Sequence, residues 1–114
     1  MEDCIFCKII NGDIPSKKVY EDDKVYAFYD IEPAAPVHVL VVPKEHIANV
    51  NEINENNADI IAHIFTVINK LVKELGIAET GYRIINNCGK DGGQTVHHLH
   101  FHILGGKTLP MSLV

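Results

Sequence analysis

Residues 92–106 read GGQTVHHLHFHILGG, and this stretch governs how the rest of the sequence is interpreted. Four of the seven histidines of the chain fall between positions 97 and 102. In an extended strand, successive side chains alternate between the two faces. The alternation predicts that His98, His100 and His102 share one face and that the apolar side chains pack on the other: Leu99, Phe101 and Ile103.

The spacing of these three histidines implies that they have more than one role. At about 3.3 Å per residue, neighbouring imidazoles on one face lie about 7 Å apart, and the outer pair lies about 13 Å apart. Zinc–nitrogen bonds are only about 2.0–2.1 Å long, so two neighbours could share one metal ion but all three could not. The Gly-Gly-Gln-Thr turn at 92–95 is a backbone of the kind that presents N–H groups to an anion.

Length and charge restrict the class of protein. The 114 residues predict one domain over 1–114, with an ordinary globular composition of 46% hydrophobic and 22% charged residues. A net charge of −5 and the absence of a Lys/Arg cluster argue against nucleic-acid binding. No apolar run approaches 18 residues, and no secretory signal is visible at the N-terminus. We therefore expect a cytoplasmic protein that does not bind membranes.

The remaining sequence predicts short strands around one long helix. Apolar residues recur at helical spacing over 57–75, and Gly76 ends the pattern as a C-terminal cap. His63 falls off the apolar stripe, so we expect it in solvent with no role. A short helix is predicted over 4–11, and strands over 19–21, 25–29, 38–43 and 81–86. This order favours an α+β fold with an antiparallel sheet.

Two further motifs carry possible chemistry. Cys4 and Cys7 form a Cys-x-x-Cys pair, which fits half of a zinc site, a redox pair, or two ordinary cysteines on an apolar face. The redox interpretation expects a preceding strand, which the sequence does not offer, and a zinc site needs two further ligands that histidines could supply. The loop at 87–93 contains three glycines and fits either a phosphate-binding loop or a flexible hairpin loop. Cys88, within it, is interpreted as a free thiol.

The segment from His98 to Leu104 matches the motif His-φ-His-φ-His-φ-φ, where φ is apolar. In this the chain resembles the histidine triad (HIT) family of nucleotide hydrolases and transferases. Gly105 and Gly106 make it similar to the Hint branch, the purine nucleoside phosphoramidases. The resemblance implies a five-stranded antiparallel sheet with one long and one short helix, and a homodimer with a ten-stranded sheet.

The same resemblance implies a reaction. His100 would attack the phosphorus of a nucleoside 5′-phosphoramidate and form a nucleotidyl-histidine that water then hydrolyses, with a purine nucleotide such as AMP or GMP in the pocket. His102 and Asn87 would hold the phosphate, while Gly93 and Thr95 would cradle it and assist departure of the amine. Thr95 stands where the family often has serine. The resemblance further places Asp30 on the ribose, Ile31 against the base and His38 at the pocket rim.

For the metal, the resemblance implies a structural zinc held by Cys4, Cys7, His46 and His98, with no cofactor needed for catalysis. His97 is an extra histidine that could compete with His98. By strand parity it faces away from His100, which favours His98 as the ligand.

Two alternative functions remain open from the sequence. One is a dinucleoside polyphosphate hydrolase, which Gly105 and Gly106 disfavour. The other is a nucleotide-binding regulatory protein that senses a ligand without turning it over, which the intact triad disfavours.

Overall fold

The protein folds as a five-stranded antiparallel sheet with a helix on each face. The structure is a computed structural model that describes residues 3–111, so residues 1, 2 and 112–114 of the predicted domain lie outside the described residues. The elements are α1 (Ile5–Ile10), β1 (Lys18–Glu21), β2 (Val25–Tyr29), β3 (Val37–Pro43), a 3₁₀ turn (Val50–Glu52), α2 (Asp59–Glu74), β4 (Tyr82–Ile85) and β5 (Phe101–Gly105). The predicted α+β class and five-stranded sheet are confirmed.

The strand order is β1-β2-β3-β5-β4, so the sheet is not built in chain order. The first three strands form a meander. The chain then crosses through α2 to β4 at the far edge, and β5 returns between β3 and β4, antiparallel to both. The central pair β3 and β5 therefore joins the two halves of the sheet.

Strand alternation divides the apolar side chains between two faces. Val39 and Val41 of β3, with Phe101 and Ile103 of β5, belong to the core that α2 covers. The side chains in alternate positions form a second, smaller core on the opposite face. There Phe6 and Ile9 of α1 pack against Tyr26, Phe28, Leu40 and Val42.

Helix α2 covers one face of the sheet with the predicted apolar stripe. Ile64, Val67, Ile68, Leu71 and Val72 are all buried. The helix ends because Gly76 takes a φ of +75°, which favours glycine, and the chain turns back so that the Ile77 N–H donates to the Val72 carbonyl at 3.0 Å. None of the helices within residues 3–111 is long and apolar enough to cross a membrane.

The sequence prediction for His63 is wrong. Its Nε2 lies 2.7 Å from Oδ2 of Asp22, in the turn between β1 and β2, and its side chain is only 34% exposed. His63 lies outside the apolar face of α2, but the β1–β2 turn passes close enough for Asp22 to contact its imidazole. The contact ties α2 to the β1–β2 turn.

The histidine segment is less regular than the sequence predicts. Strand β5 begins only at Phe101, so His98 and His100 precede the strand in irregular backbone. This backbone is held from another direction, because the Leu99 N–H donates to the Ile47 carbonyl at 2.6 Å. The alternation nevertheless continues through it: Leu99 joins the α2-side core, while the rings of His98 and His100 pack edge-on against Phe6 on the opposite face.

Candidate functional site

Polar side chains gather on the α1-side face of the sheet, where three neighbouring strands meet. In the register between β3 and β5, His38 lies opposite Leu104 and Leu40 lies opposite His102. Directly opposed residues share a face of the sheet, so the two histidines are diagonal neighbours. Asp30 directly follows β2, where its N–H donates to the His38 carbonyl at 3.0 Å. The topology thus brings together three residues that are distant in sequence.

The Ala34 backbone determines the tautomers of this cluster. Its N–H donates to Nδ1 of His38 at 3.0 Å, so Nδ1 carries a lone pair and the proton of the neutral ring is on Nε2. This Nε2–H donates to Nδ1 of His102 at 2.9 Å. His102 therefore carries its own proton on Nε2. The Asp30 carboxylate lies 3.5 Å from Nε2 of His38 and stabilises its polarised N–H.

The neighbouring His100 takes the opposite tautomer. Its Nδ1 lies 2.7 Å from the His98 carbonyl, which can only accept, so Nδ1 carries the proton and Nε2 carries the lone pair. The Nε2 atoms of His100 and His102 have no protein partner within residues 3–111, where no buried side-chain nitrogen or oxygen is left without one. Both atoms are therefore reached from solvent. The two ring centroids are 5.1 Å apart, so a lone pair and an N–H donor stand side by side.

Burial keeps these imidazoles neutral. It lowers the pKa of His102 to about 4, with further contributions from nearby His100 and His38. Burial likewise lowers the pKa values of His100 and His38. A neutral imidazole is the form that can act as a nucleophile near pH 7, and burial favours this form of His100.

Two cavities meet at His38. The larger, of about 770 Å³, is lined by Asp30, Ile31 and His38 together with the segment at 15–17 before β1. The smaller, of about 290 Å³, is lined by His38, His102, Asn87 and the apolar side chains Ile85, Leu104 and Leu109. Ile31 is 92% exposed at the mouth of the larger cavity. Five of the predicted substrate residues therefore line two adjoining cavities: Asp30, Ile31, His38, Asn87 and His102.

The glycine loop before the histidine segment is held by amide side chains. Asn87 Nδ2 donates to the Gly92 carbonyl at 2.8 Å, so this amide braces the loop while it also lines the smaller cavity. Gly93 takes a φ of +79°, which explains why glycine stands there, but it does not line either cavity at His38. Thr95 lines a different cavity of about 440 Å³, with Cys4, His46 and His97.

Sequence reasoning missed three residues of this region. Gln94 is buried and bridges the loop, accepting from the Gly89 N–H at 2.9 Å and donating to the Ala48 carbonyl at 2.8 Å. Asn86 Nδ2 donates to the His100 carbonyl at 2.9 Å. Arg83 lines the smaller cavity and donates to the Pro110 carbonyl at 2.7 Å. For Gln94, the available sequence signal was its position directly after two glycines in a predicted turn.

Cys4, Cys7, His46 and His98 form a second cluster, at the start of α1, that could hold a metal. Nδ1 of His98 lies 3.3 Å from Sγ of Cys4 and 3.6 Å from Sγ of Cys7, and Nδ1 of His46 lies 3.4 Å from Sγ of Cys7. Tetrahedral zinc bonds of about 2.3 Å to sulfur and 2.0–2.1 Å to nitrogen separate such ligands by about 3.6 Å. The donor set and its spacing therefore fit zinc.

The protonation of His98 also suits a ligand. Its Nε2 lies 2.8 Å from the Pro43 carbonyl, which fixes the proton on Nε2 and leaves the Nδ1 lone pair facing the two thiols. Burial raises the pKa of the Cys7 thiol, as does neighbouring Cys4, so a nearby cation would favour ionisation of Cys7. His97 is exposed and does not take part in the cluster of four.

Comparisons with known proteins agree with this architecture. The HIT domain model matches residues 11–109. The chain is 46% identical over 108 residues to the purine nucleoside phosphoramidase of Escherichia coli K12, covering 95% of this chain and 91% of the relative. Among solved structures, a histidine triad protein from Clostridium difficile is 60% identical with a TM-score of 0.96, covering 98% and 97% of the two chains. A HIT family hydrolase from Clostridium thermocellum is 57% identical with a TM-score of 0.97, covering 100% and 99%.

Proposed function

The chain belongs to the HIT domain family, and we propose that it hydrolyses nucleoside 5′-phosphoramidates, cleaving the P–N bond. The observation that carries the proposal is the pair of tautomers in the site. His100 offers a lone pair from Nε2, and His102 offers an N–H beside it. A nucleophile next to a hydrogen-bond donor is the arrangement that attack on a phosphoryl group requires.

The two cavities support a position for the nucleotide. A purine nucleotide such as AMP or GMP fits with its base against Ile31 and its ribose hydroxyls on the Asp30 carboxylate. A carboxylate suits this role because it can accept hydrogen bonds from two adjacent hydroxyls. The phosphate then lies at the meeting point of the cavities, within reach of His102 and Asn87.

The chemistry proceeds in two displacements. His100 Nε2 forms a bond to phosphorus while the P–N bond breaks, and the amine leaves with a proton taken from solvent. The His98 carbonyl stabilises the positive charge that develops on the ring, because it accepts the Nδ1–H at 2.7 Å. Water then attacks phosphorus, releases His100 and gives one proton to solvent. The net reaction consumes one water and yields a nucleoside monophosphate and an amine.

Thr95 and Gly93 are assigned to the leaving group by family resemblance. The Thr95 hydroxyl would hydrogen-bond the departing amine, and backbone N–H groups near Gly93 would face the phosphate. Thr95 lines the cavity beside Cys4 and His46, at the start of α1. Its hydroxyl would therefore contact the leaving group from the α1 side.

The test is release of AMP from adenosine 5′-phosphoramidate. We expect His100→Ala to lower kcat by at least about 10³-fold, the scale seen when a covalent nucleophile is removed. His97→Ala is the matched control, because His97 is an exposed histidine in the same segment. Equal AMP release by the parent and His100→Ala would refute the assignment. Hydrolysis of a diadenosine polyphosphate in preference to the phosphoramidate would favour the alternative hydrolase instead.

We also propose that the cluster of Cys4, Cys7, His46 and His98 binds a structural zinc ion. Four protein ligands leave no open position, so the ion would serve stability and not the reaction. His98 would connect it to the site, since its ring faces the thiols while its carbonyl holds His100.

A homodimer is proposed from the family resemblance and from the sheet edge. Strand β4 lies at the edge of the described sheet, and Tyr82 in it is 37% exposed. Unpaired edges favour pairing with another strand. Light scattering after size-exclusion chromatography should give twice the chain mass of 12.7 kDa, whereas a monomer mass at micromolar concentration would exclude a stable dimer.

A further inference from the structure

The Ala34 N–H is a hydrogen-bond donor whose direction cannot be reversed by a change of tautomer. In this hydrogen-bond chain, the contact from His38 to His102 joins two ring nitrogens, either of which could donate, and the Asp30 carboxylate at 3.5 Å from Nε2 of His38 favours the same direction as the Ala34 N–H. Ala34 is exposed, in the loop between β2 and β3, and no sequence motif singled it out. Its amide nevertheless lies 3.0 Å from Nδ1 of His38 and fixes the direction of the whole chain.

We propose that the Ala34 amide is a positioning group that sets the proton arrangement of the site and keeps divalent metal ions out of it. By holding a proton on Nε2 of His38, it forces His102 to present Nε2–H to the phosphate. This first part rests on the proposed phosphoramidate hydrolysis. The second part, exclusion of metal, depends only on the geometry.

The need to exclude metal follows from the ligand set. Single ligand atoms of Asp30, His38 and His102 all lie within 4.8 Å of one another. Two imidazoles and one carboxylate with open positions form a set that binds transition metals. A metal on Nε2 of His38 would displace the proton to Nδ1, where it would face the Ala34 N–H. Two donors would then oppose each other, and one would be left unsatisfied.

The second histidine cluster shows the reverse arrangement. There the backbone partner of His98 is the carbonyl of Pro43, which draws the proton to Nε2 and leaves Nδ1 free for a metal. At His38 the backbone partner is an amide, which draws the proton to the nitrogen that faces the cluster. The backbone carbonyl at His98 thus favours a metal ligand, whereas the backbone amide at His38 favours a proton donor.

The first test reads the tautomers directly in the unmodified protein. Long-range ¹⁵N–¹H spectra of ring-labelled protein distinguish Nδ1–H from Nε2–H. We expect His38 and His102 to carry protons on Nε2, and His100 on Nδ1. A His38 ring protonated on Nδ1 would overturn the inference, whether or not the protein turns over phosphoramidates.

The second test removes only the Ala34 N–H. Replacing Ala34 with lactic acid converts its amide to an ester and leaves the side chain unchanged. With the cysteine cluster first saturated with zinc, we expect Ni²⁺ to bind in calorimetry at least about tenfold more tightly than to the parent, because the opposed donor is gone. We also expect kcat to fall by about fivefold, with KM changed less.

The matched control is lactic acid at Ala35. This change removes the neighbouring N–H, which has no hydrogen-bond acceptor within residues 3–111, and it keeps the hydrogen bonds to Asp30 and His38. Loosening of the loop affects both esters, but only the Ala34 ester frees His38. Equal Ni²⁺ affinity in the two esters would overturn metal exclusion. Tighter Ni²⁺ binding by the Ala34 ester alone would support it even if no phosphoramidate were hydrolysed, which separates this inference from the proposed function.

Discussion

His98 contributes to two sites through two different groups. Its ring Nδ1 faces Cys4 at 3.3 Å, and its carbonyl accepts the proton of His100 Nδ1 at 2.7 Å. The proposed nucleophile is therefore oriented by the backbone of a residue whose side chain is held elsewhere. Asn86 supports the same segment from the other side by donating to the His100 carbonyl at 2.9 Å.

The buried histidines predict the pH dependence of turnover. An imidazole in water titrates near pH 6.5, but burial lowers the pKa of His102 to about 4. Because burial lowers the pKa values of His100 and His38 as well, we expect the acid limb of kcat/KM to lie below about pH 6.5. Enzyme held at each pH and returned to pH 7 should recover its activity, which controls for unfolding. An acid limb centred near pH 6.5 would contradict the neutral state of His102.

The same shift has a fixed sign for stability. Because the folded pKa of His102 lies below the unfolded value, the unfolded chain binds more protons between about pH 6.5 and about pH 4. The contribution of neutral His102 to the free energy of unfolding is therefore fully present above about pH 6.5 and is lost as pH falls towards the folded pKa.

Among the secondary-structure elements, α2 is attached to the sheet by more than its apolar face. The His63–Asp22 contact joins it to the β1–β2 turn, and Oδ1 of Asp22 also accepts from the N–H groups of Lys24 and Val25 at 2.8 Å. Partial burial acts to raise the pKa of Asp22. The hydrogen bonds from Lys24, His63 and Tyr20 outweigh it and hold the pKa well below its usual range.

We predict that His63→Ala lowers the free energy of unfolding by about 1 kcal/mol, the typical net contribution of one such hydrogen bond. Asn69→Ala is the matched control, because Asn69 is exposed on the same helix and both substitutions raise helix propensity. Urea unfolding followed by circular dichroism measures both. The assignment fails if the two variants are equally stable. Turnover by folded His63→Ala should be unchanged.

Sequence periodicity predicts the helices and strands, but it does not predict the non-local contacts that build the candidate site. The spacing in 57–75 predicts α2, and the alternation in 98–104 predicts the two faces of β5 and of the segment before it, including the burial of Leu99 and Ile103. The tautomers depend instead on Ala34 and Pro43, backbone groups that carry no sequence signal. The partner of His63 lies 41 positions away, and the irregular backbone at His98 results from its contact with the loop after β3.

At the scale of the whole molecule, the cysteine cluster joins the N-terminal helix to the segments that flank the central strands. Cys4 is the N-cap of α1 and Cys7 lies in it, while His46 comes from the segment after β3 and His98 from the segment before β5. A bound ion would therefore stabilise the small α1-side core and the position of His100 together.

Loss of an outer-shell partner weakens metal binding by about 10- to 100-fold, and we predict that Cys4→Ser, which removes a direct ligand, weakens zinc binding by at least as much. We expect the melting temperature and kcat to fall together. Cys88→Ser is the control, since Cys88 lies outside the cluster. Zinc per chain is measured by atomic emission after dialysis. Full zinc content in Cys4→Ser would reject the site, and full zinc in Cys88→Ser is expected.

The position of β5 between β3 and β4 has a consequence for biosynthesis. Among the described strands, β5 is the last to leave the ribosome, yet both halves of the sheet pair through it. Until residues 101–105 emerge, β4 has no neighbour within the described sheet, and the proposed nucleophile His100 emerges only just before them. Pairing so distant in sequence also slows folding. A nascent chain should thus acquire its nucleotide pocket only after residues 101–105 have emerged, in a single step.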